Sequence, residues 1–466
     1  MESDTIAAIG TAAGSGGIGI IRISGSQSRP IARKLFRSAR DARKGNEDGL
    51  ELKPHQLSYG LIANPDDGRQ VDEVLLAFMP APHSYTREDV VEIQCHGGVI
   101  VLQKILGLVL MNGARPAEPG EFTRRAFLNG RIDLTQAEAV ADMINARSES
   151  AMKLASRQLG GELKNRILGL NEQIIDMLAD IEAELEFSED GVSGIAEGSL
   201  TSACLKERLI LPIQKLAESY ELGRVQKEGF RLAIVGRPNV GKSSLLNRLI
   251  DREKAIVTPF PGTTRDPVEA SVTIDNIAID FVDTAGIRES RDPAERIGVQ
   301  KAQEAVKAAD LALFVIEAHS PPNGDDDRVL QEIKEKNFIL VVNKIDLVDN
   351  GERSRLPKEY AQRDPVFISA KSGEGLDALK HRIGALWRQA EGAESEAVLC
   401  DLRHKLAIET ALEDVCKAAH TIDENRSLDM VAMDLKHALG QMQTITGETA
   451  AIDVLDAIFQ KFCIGK

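Results

Sequence analysis

The sequence predicts a multidomain chain in which an α+β N-terminal domain precedes an α-helical bundle, and a parallel-sheet α/β domain is inserted into that bundle. Three observations predict it. Short β-branched runs broken by glycine- and proline-rich turns fill residues 1–120. Helical periodicity takes over across 121–222 and returns over 388–466. Between them, over 223–387, apolar strands alternate with helical segments.

Composition sets the outer limits. At 466 residues the chain has room for about three domains of ~150 residues each. Hydrophobic residues make up 43% and charged residues 28%, a globular balance rather than a disordered or fibrous one. The 57 basic against 72 acidic side chains give a formal net charge of -15, so no global field favours nucleic acid or an anionic membrane. Any RNA contact has to be local. Five cysteines (Cys95, Cys204, Cys400, Cys416, Cys463) show neither C-x-x-C spacing nor zinc-like clustering with histidine, which fits a reducing compartment. The start carries Glu2 and Asp4 where a signal peptide is basic, and Lys104 interrupts the apolar run Val99 to Met111. A cytoplasmic protein without a membrane span is expected.

In the N-terminal domain Thr5 to Gly10, Ile18 to Ile23, Val71 to Phe78 and Val90 to Ile93 read as strands. Gly14-Ser15-Gly16-Gly17-Ile18-Gly19 satisfies G-x-G-x-x-G, yet a dinucleotide fingerprint opens a helix. The residues that follow, Ile20 to Gly25, are short, β-branched and glycine-terminated, as a strand after a tight turn would be. In the bundle, Ile174, Ile175, Leu178, Ile181 and Leu185 are placed on one helical face. Leu232 to Val235, Ile277 to Val282, Leu311 to Ile316, Phe338 to Val342 and Val366 to Ile368 are the strands of the α/β domain. The acidic run Asp325 to Asp327 after Pro321-Pro322 reads as a solvated loop. The two helical blocks flanking the α/β domain are expected to pack together.

The α/β domain carries a phosphate-binding loop. Gly236-Arg237-Pro238-Asn239-Val240-Gly241-Lys242-Ser243 fits G-x-x-x-x-G-K-[ST], follows a strand and opens a helix bearing Leu245, Leu246, Leu249 and Ile250. Its glycines aim main-chain N–H groups at phosphate oxygens, the helix N-terminus adds its dipole, Lys242 bridges the outer phosphates and Ser243 offers a hydroxyl to Mg²⁺. Asn239, Val240, Gly241, Lys242, Ser243 and Ser244 are placed at the nucleotide. Asp283-Thr284-Ala285-Gly286 closes a second strand, where Asp283 faces Mg²⁺ from its outer shell and Gly286 senses the γ-phosphate.

Base selection follows. Asn343-Lys344-Ile345-Asp346 ends another strand, and a carboxylate at Asp346 accepts from the two N–H groups that guanine has and adenine lacks. Ser369-Ala370-Lys371 completes the base pocket. Four motifs in order, each at a strand end, specify GTP. Gly262-Thr263-Thr264-Arg265-Asp266 lies where a switch loop supplies a second Mg²⁺ hydroxyl, assigned to Thr264. Ile287 stands where Ras-like enzymes carry a water-orienting glutamine, so another group has to position water; the acidic stretch Glu289 to Glu295 offers carboxylates, although such acids also serve merely as solvated charges.

Over its whole length the chain resembles the MnmE family, also called TrmE, of tRNA modification GTPases. The resemblance rests on Gly16-Gly17-Ile18-Gly19-Ile20-Ile21-Arg22-Ile23-Ser24-Gly25 and Glu92-Ile93-Gln94-Cys95-His96-Gly97-Gly98. It rests equally on the stretch from Pro119-Gly120-Glu121-Phe122 to Leu128-Asn129-Gly130, on the GTPase motifs, and on the terminal Cys463-Ile464-Gly465-Lys466. GTPases of ribosome assembly share the nucleotide motifs but not this N-terminal domain or tail.

The resemblance implies a homodimeric, K⁺-activated GTPase whose N-terminal domains form the dimer and bind 5-formyltetrahydrofolate or methylenetetrahydrofolate. With the FAD protein MnmG (GidA), in a heterotetramer, the family adds an aminomethyl or carboxymethylaminomethyl group to C5 of the wobble uridine of certain tRNAs. It implies folate binding by Arg22, Glu92, Arg131 and Lys466, and K⁺ coordination by Asn239, Thr258, Phe260 and Thr263. Without the family, the folate residues read as ordinary surface charges. The catalytic glutamate of the family falls on Glu295. Two departures stand out. Arg131 replaces the lysine of some members, keeping the charge but altering its geometry, and Pro259 and Pro261 stiffen the switch loop. Cys463 and His96 are excluded from the catalytic set, as an inert terminal thiol and a structural hydrogen-bonding residue. The competing reading is a GTP-switched scaffold in ribosome assembly.

Overall fold

The computed structural model describes residues 4–12, 14–38, 52–188, 201–252, 270–282, 307, 309–349, 356–390 and 397–466. The chain divides into two compact units: residues 1–141, 159–171 and 439–466 form one, and residues 142–158 and 172–438 the other.

In the first unit the β-branched runs become a seven-stranded sheet. Its strands are β1 (Ile6–Ile9), β2 (Gly16–Ser24), β3 (Phe36–Ser38), β4 (Leu57–Ala63), β5 (Gln70–Met79), β6 (Val90–Gly97) and β7 (Arg115–Pro116), in the order β3-β4-β5-β6-β2-β1-β7. The neighbours are antiparallel except β1 and β7. The glycine-rich segment extends as a strand from Gly16, as a dinucleotide fingerprint would not.

Side chains alternate across each strand, so one face is apolar and the other carries chemistry. Ile21, Ile23, Leu76 and Ile93 face a core shared with Leu102 and Ile105 of the helix Val99–Met111. The intervening residues share the opposite face: Arg22 pairs in register with Glu92, Glu92 with Ala77, and Ala77 with Leu57. Leu57, Tyr59 and Leu75 are exposed there, with Tyr59 opposite Leu75.

The end of the chain belongs to this unit. The helix Ile452–Phe459 buries Leu455, Ile458 and Phe459 against Leu134 and Ala137. Beyond it, Ile464 bridges Pro119, and the carbonyl of Lys466 accepts from the N–H of Phe122 at 3.2 Å. Gly465 takes a φ of +96°, and a Cβ there would strike the carbonyl of Ile9, so no other residue fits this close approach.

In the second unit the six-stranded sheet runs β13-β12-β11-β8-β10-β9, comprising β8 (Phe230–Val235), β9 (Ala270–Ile274), β10 (Ile277–Val282), β11 (Leu311–Glu317), β12 (Phe338–Asn343) and β13 (Val366–Phe367). All neighbours are parallel save β9 and β10. Leu232 and Ile234 point into one core, Ala233 into another on the far side, as a parallel sheet covered on both faces requires. Order reverses between β8 and β11, which opens a crevice at their carboxyl ends. This α/β domain is inserted between helical blocks that do pack together: the helix Leu402–Asp423 lies against the run Ser202–Glu218. Arg147 and Arg224 pair with Asp280 and Asp310 of the α/β domain at 3.0 and 2.7 Å. Lys227 donates to Asp142 and Asp401.

Two expectations are corrected. Ile174, Met177, Leu178 and Ile181 are buried along the helix Glu162–Ser188, but Ile175 is 49% exposed. One residue past Ile174, it is turned ~100° off the buried stripe. The run Asp325 to Asp327 is not a loop but the first turn of the helix Gly324–Ile333. Asn323 caps that turn, and Asp326 is wholly buried because it completes the capping box by accepting from the Asn323 N–H at 3.1 Å. Among the described residues no helix is long and apolar enough to cross a membrane.

Candidate nucleotide and ligand sites

The phosphate loop leaves β8 at the crevice and turns into the helix Lys242–Arg252. Leu245, Leu246 and Leu249 are fully buried, which holds the helix N-terminus and its orphan N–H groups at the loop. Asn239 adopts a φ of +65° and is exposed. Gly241 has a φ of +100°, and a Cβ there would strike the Asn343 amide. The Lys242 ammonium donates to the carbonyls of Gly236 at 2.7 Å and Arg237 at 2.8 Å, which pins it over the loop, and burial lowers its pKa. Ser243 and Ser244 lie in the first helical turn.

Asn343 closes β12 with 2% exposure. Its Nδ2 donates to the Val240 carbonyl at 2.8 Å and its Oδ1 accepts from the Ala370 N–H at 3.0 Å. Asn343, expected at the nucleotide, ties the phosphate loop to the Ser369-Ala370-Lys371 loop. Asp346 is exposed and accepts from the Ser369 hydroxyl at 2.6 Å, which holds its carboxyl below the ordinary range, ionised and acceptor-only at neutral pH. The Lys371 carbonyl accepts from Arg248 at 2.7 Å.

Lys344, with a φ of +64°, donates to the Asn239 carbonyl at 2.7 Å and to Glu317. Glu317 also accepts from Arg237 at 3.0 Å. The sequence does not single out Glu317, and it places Arg237 only within the phosphate-loop motif, with no role of its own. A signal existed: Glu317 is the one charged residue of β11 and closes it, as Asn343 closes β12. Thr258, Phe260, Thr263, Thr264, Asp283, Thr284, Ala285, Gly286 and Glu295 lie outside the described residues.

In the first unit, Arg22, Glu92, Arg131 and Lys466 gather around Tyr85 and Phe122. Arg22 Nε donates to Glu92 Oε1 at 2.8 Å and its Nη1 to the Gly465 carbonyl at 3.2 Å. Its guanidinium stands 5.8 Å from the Tyr85 ring centroid and 5.6 Å from that of Phe122. Arg131 stacks on Tyr85 at 4.7 Å and donates to its carbonyl at 3.0 Å. Tyr85, which the sequence did not single out, is held by its hydroxyl 3.0 Å from that of Thr123. Beneath it the buried Arg125 binds Asp4, Glu88 and Glu121.

Of the two residues excluded from chemistry, Cys463 is exposed and His96 meets a carboxylate. His96 Nδ1 is 2.6 Å from Asp72. Burial pushes the Cys95 thiol up to about 11 and the Cys400 thiol up to about 12, far from a reactive thiolate. Asp142, Cys400 and Asp401 cluster within 4.8 Å of one another, but Lys227 supplies the positive charge there.

Residues 134–463 match the family model described as the MnmE helical domain, and residues 5–131 match the GTP-binding protein TrmE N-terminus. The tRNA modification GTPase MnmE of Acetivibrio thermocellus is 43% identical over 468 residues, covering 100% of both chains. That of Carboxydothermus hydrogenoformans is 43% identical over 472 residues, again covering 100% of both. Among solved structures, Aquifex aeolicus Era Y63A bound to GDP.AlF4- is 30% identical over 40% of this chain and 66% of that one, with a TM-score of 0.27.

Removing the tie between the two loops is testable by itself. Asn343→Ala leaves the Val240 carbonyl and the Ala370 N–H buried and unpaired, at a cost of about 1–3 kcal/mol each. Urea unfolding should report that loss, and GDP affinity should fall with it; unchanged stability and affinity would contradict the role.

Proposed function

The chain belongs to the MnmE family of tRNA modification GTPases, and on that premise we propose that its GTP hydrolysis drives a folate-dependent modification of tRNA. With an FAD-dependent partner of the MnmG (GidA) kind, it adds an aminomethyl or carboxymethylaminomethyl group to C5 of the wobble uridine. The observation that supports this most is the coexistence in one chain of two furnished sites: the phosphate and base loops joined through Asn343, and the Arg22, Glu92 and Arg131 cluster closed by the chain's tail. A scaffold that only binds has no use for the second. Mass spectrometry of tRNA nucleosides from cells lacking the protein should reveal missing wobble modifications, and an unchanged profile would leave the scaffold reading.

In hydrolysis Lys242 and the main-chain N–H groups of residues 239–244 orient the phosphates, and Asp346 selects guanine. Bound Mg²⁺ and K⁺ supply positive charge against the phosphates. Ser243 and Thr264 would hold the first, and Asn239, Thr258, Phe260 and Thr263 the second. Asn239 fits such a role: its carbonyl is engaged by Lys344, so a cation contact falls to its exposed side-chain amide. Glu295 orients the attacking water, in place of the glutamine absent at Ile287. Steady-state kinetics test these assignments together. Sodium in place of potassium should slow turnover strongly, and Glu295→Ala should lower kcat with GTP affinity nearly intact. Equal rates in both salts would refute the K⁺ assignment, and lost affinity in the variant would refute the water-orienting one.

At the second site the Arg22 and Glu92 pair meets the donors and acceptors of the pterin, with a Glu92 carboxylate oxygen left for its N–H groups, and Arg131 and Lys466 supply positive charge for folate carboxylates. The same sheet face supports a homodimer, because Leu57, Tyr59 and Leu75 leave an apolar patch exposed. Tyr59→Arg should shift sedimentation from dimer toward monomer. A dimer unchanged by this substitution would place the interface elsewhere.

A further inference from the structure

We infer that Glu317 is a positioning residue for guanine-nucleotide binding, locking the lysine of the base-side loop to the phosphate loop. The inference rests on the reading of this site as a GTP site. Glu317 stands at the carboxyl end of β11, beside the point where strand order reverses, with a side chain only 11% exposed. Its two oxygens divide between two loops. Oε1 takes the ammonium of Lys344 from the loop after β12, and Oε2 takes Arg237 Nη2 from within the phosphate loop at 3.0 Å. His319 Nε2 lies 3.7 Å from the same Oε2. Behind Arg237, its Nε is 3.7 Å from the buried Asp326, which the capping box of the following helix fixes in place.

The consequence concerns where the cations point. Lys344 donates at once to Glu317 and to the carbonyl of Asn239, so the carboxylate aims the ammonium at the one phosphate-loop residue held at a φ of +65°. Burial raises the pKa of Glu317, but Lys344, His319 and Arg237 more than offset this and keep it ionised. An ionised carboxylate also competes with bound phosphate for Arg237 and Lys344. Both cations are thus engaged by Glu317, and the phosphates are left to Lys242 and the main-chain N–H groups. Because Glu317 acts through the loop and the base-side lysine, its effect belongs to ground-state binding of GTP and GDP alike rather than to the hydrolytic step.

Glu317→Gln keeps the shape and removes the charge. In the full chain, Kd for GTP and for GDP should rise together by about tenfold, the scale of a lost charge-assisted pair. KM should rise likewise with kcat held within about twofold. A merely structural role would lower the folded fraction, so that apparent kcat falls while KM stays. That pattern overturns the inference, as do unchanged dissociation constants in a normally folded variant. If Glu317→Gln does not fold, Arg237→Gln, which spares the Lys344 pair, should still weaken both nucleotides several-fold, and unchanged affinity there overturns it. Wild-type protein that binds neither GTP nor GDP overturns the site reading and this inference together. Wild-type binding with an indifferent Glu317→Gln overturns this inference alone.

Discussion

A single buried primary amide sets the distance between the loop that cradles phosphates and the loop that frames the base. Asn343 spends its donor on Val240 and its acceptor on Ala370, and with 2% exposure neither group has water as an alternative. A primary amide offers a donor and an acceptor from one planar group, which an ionised carboxylate of the same size does not. The geometry around it follows. Gly241 has to lack a Cβ because the amide passes against it, Lys344 inherits a left-handed φ as the chain leaves β12, and Ser369 is brought to Asp346. The two loops are thereby held at one separation.

The first unit solves a comparable problem with a salt bridge and a chain terminus. Arg22 and Glu92 face each other across β2 and β6 on the side of the sheet away from the helix Val99–Met111, mostly shielded from water. The tail then covers the pair: Gly465 passes so close to Ile9 that its carbonyl can reach Arg22, and the Lys466 carbonyl caps Phe122. A charged pair is expensive to shield unless its remaining hydrogen bonds are met. The tail carbonyl meets one of them.

Local rules in the sequence were enough for nine of the thirteen strands and for the strand–loop–helix setting of the phosphate loop, because each is a pattern of neighbours: alternation, glycine spacing, a residue at a strand end; the strands at Phe36–Ser38, Leu57–Ala63, Arg115–Pro116 and Ala270–Ile274 were not read from it. Pairings between distant residues were not legible. Arg22 and Glu92, 70 positions apart, were both singled out, yet nothing local says that they bind each other. Tyr85, which two arginines approach, carries no local mark at all. Asp326 misled for the converse reason. Three consecutive acids read as a solvated run, whereas Asn323 three residues before Asp326 was the signal of a capping box. Ile175 shows the limit of periodicity, since two adjacent isoleucines cannot both lie at the centre of one stripe.

The pairing of Arg22 also changes how charge is distributed at the second site. A guanidinium already sharing a carboxylate gains less from another anion than one whose partner is neutral, because the second anion is repelled by the first. Arg22 has Glu92 at 2.8 Å, while Arg131 has the Tyr85 carbonyl and the face of its ring. Arg131 is moreover exposed, so its remaining N–H groups are reachable from solvent. On the folate reading proposed above, an incoming carboxylate would be drawn to Arg131, and the Arg22 and Glu92 pair would suit a neutral group that both donates and accepts. The planar fork of arginine matters at residue 131 for a further reason: it stacks on Tyr85 and still presents donors at its edge, which a lysine ammonium cannot do.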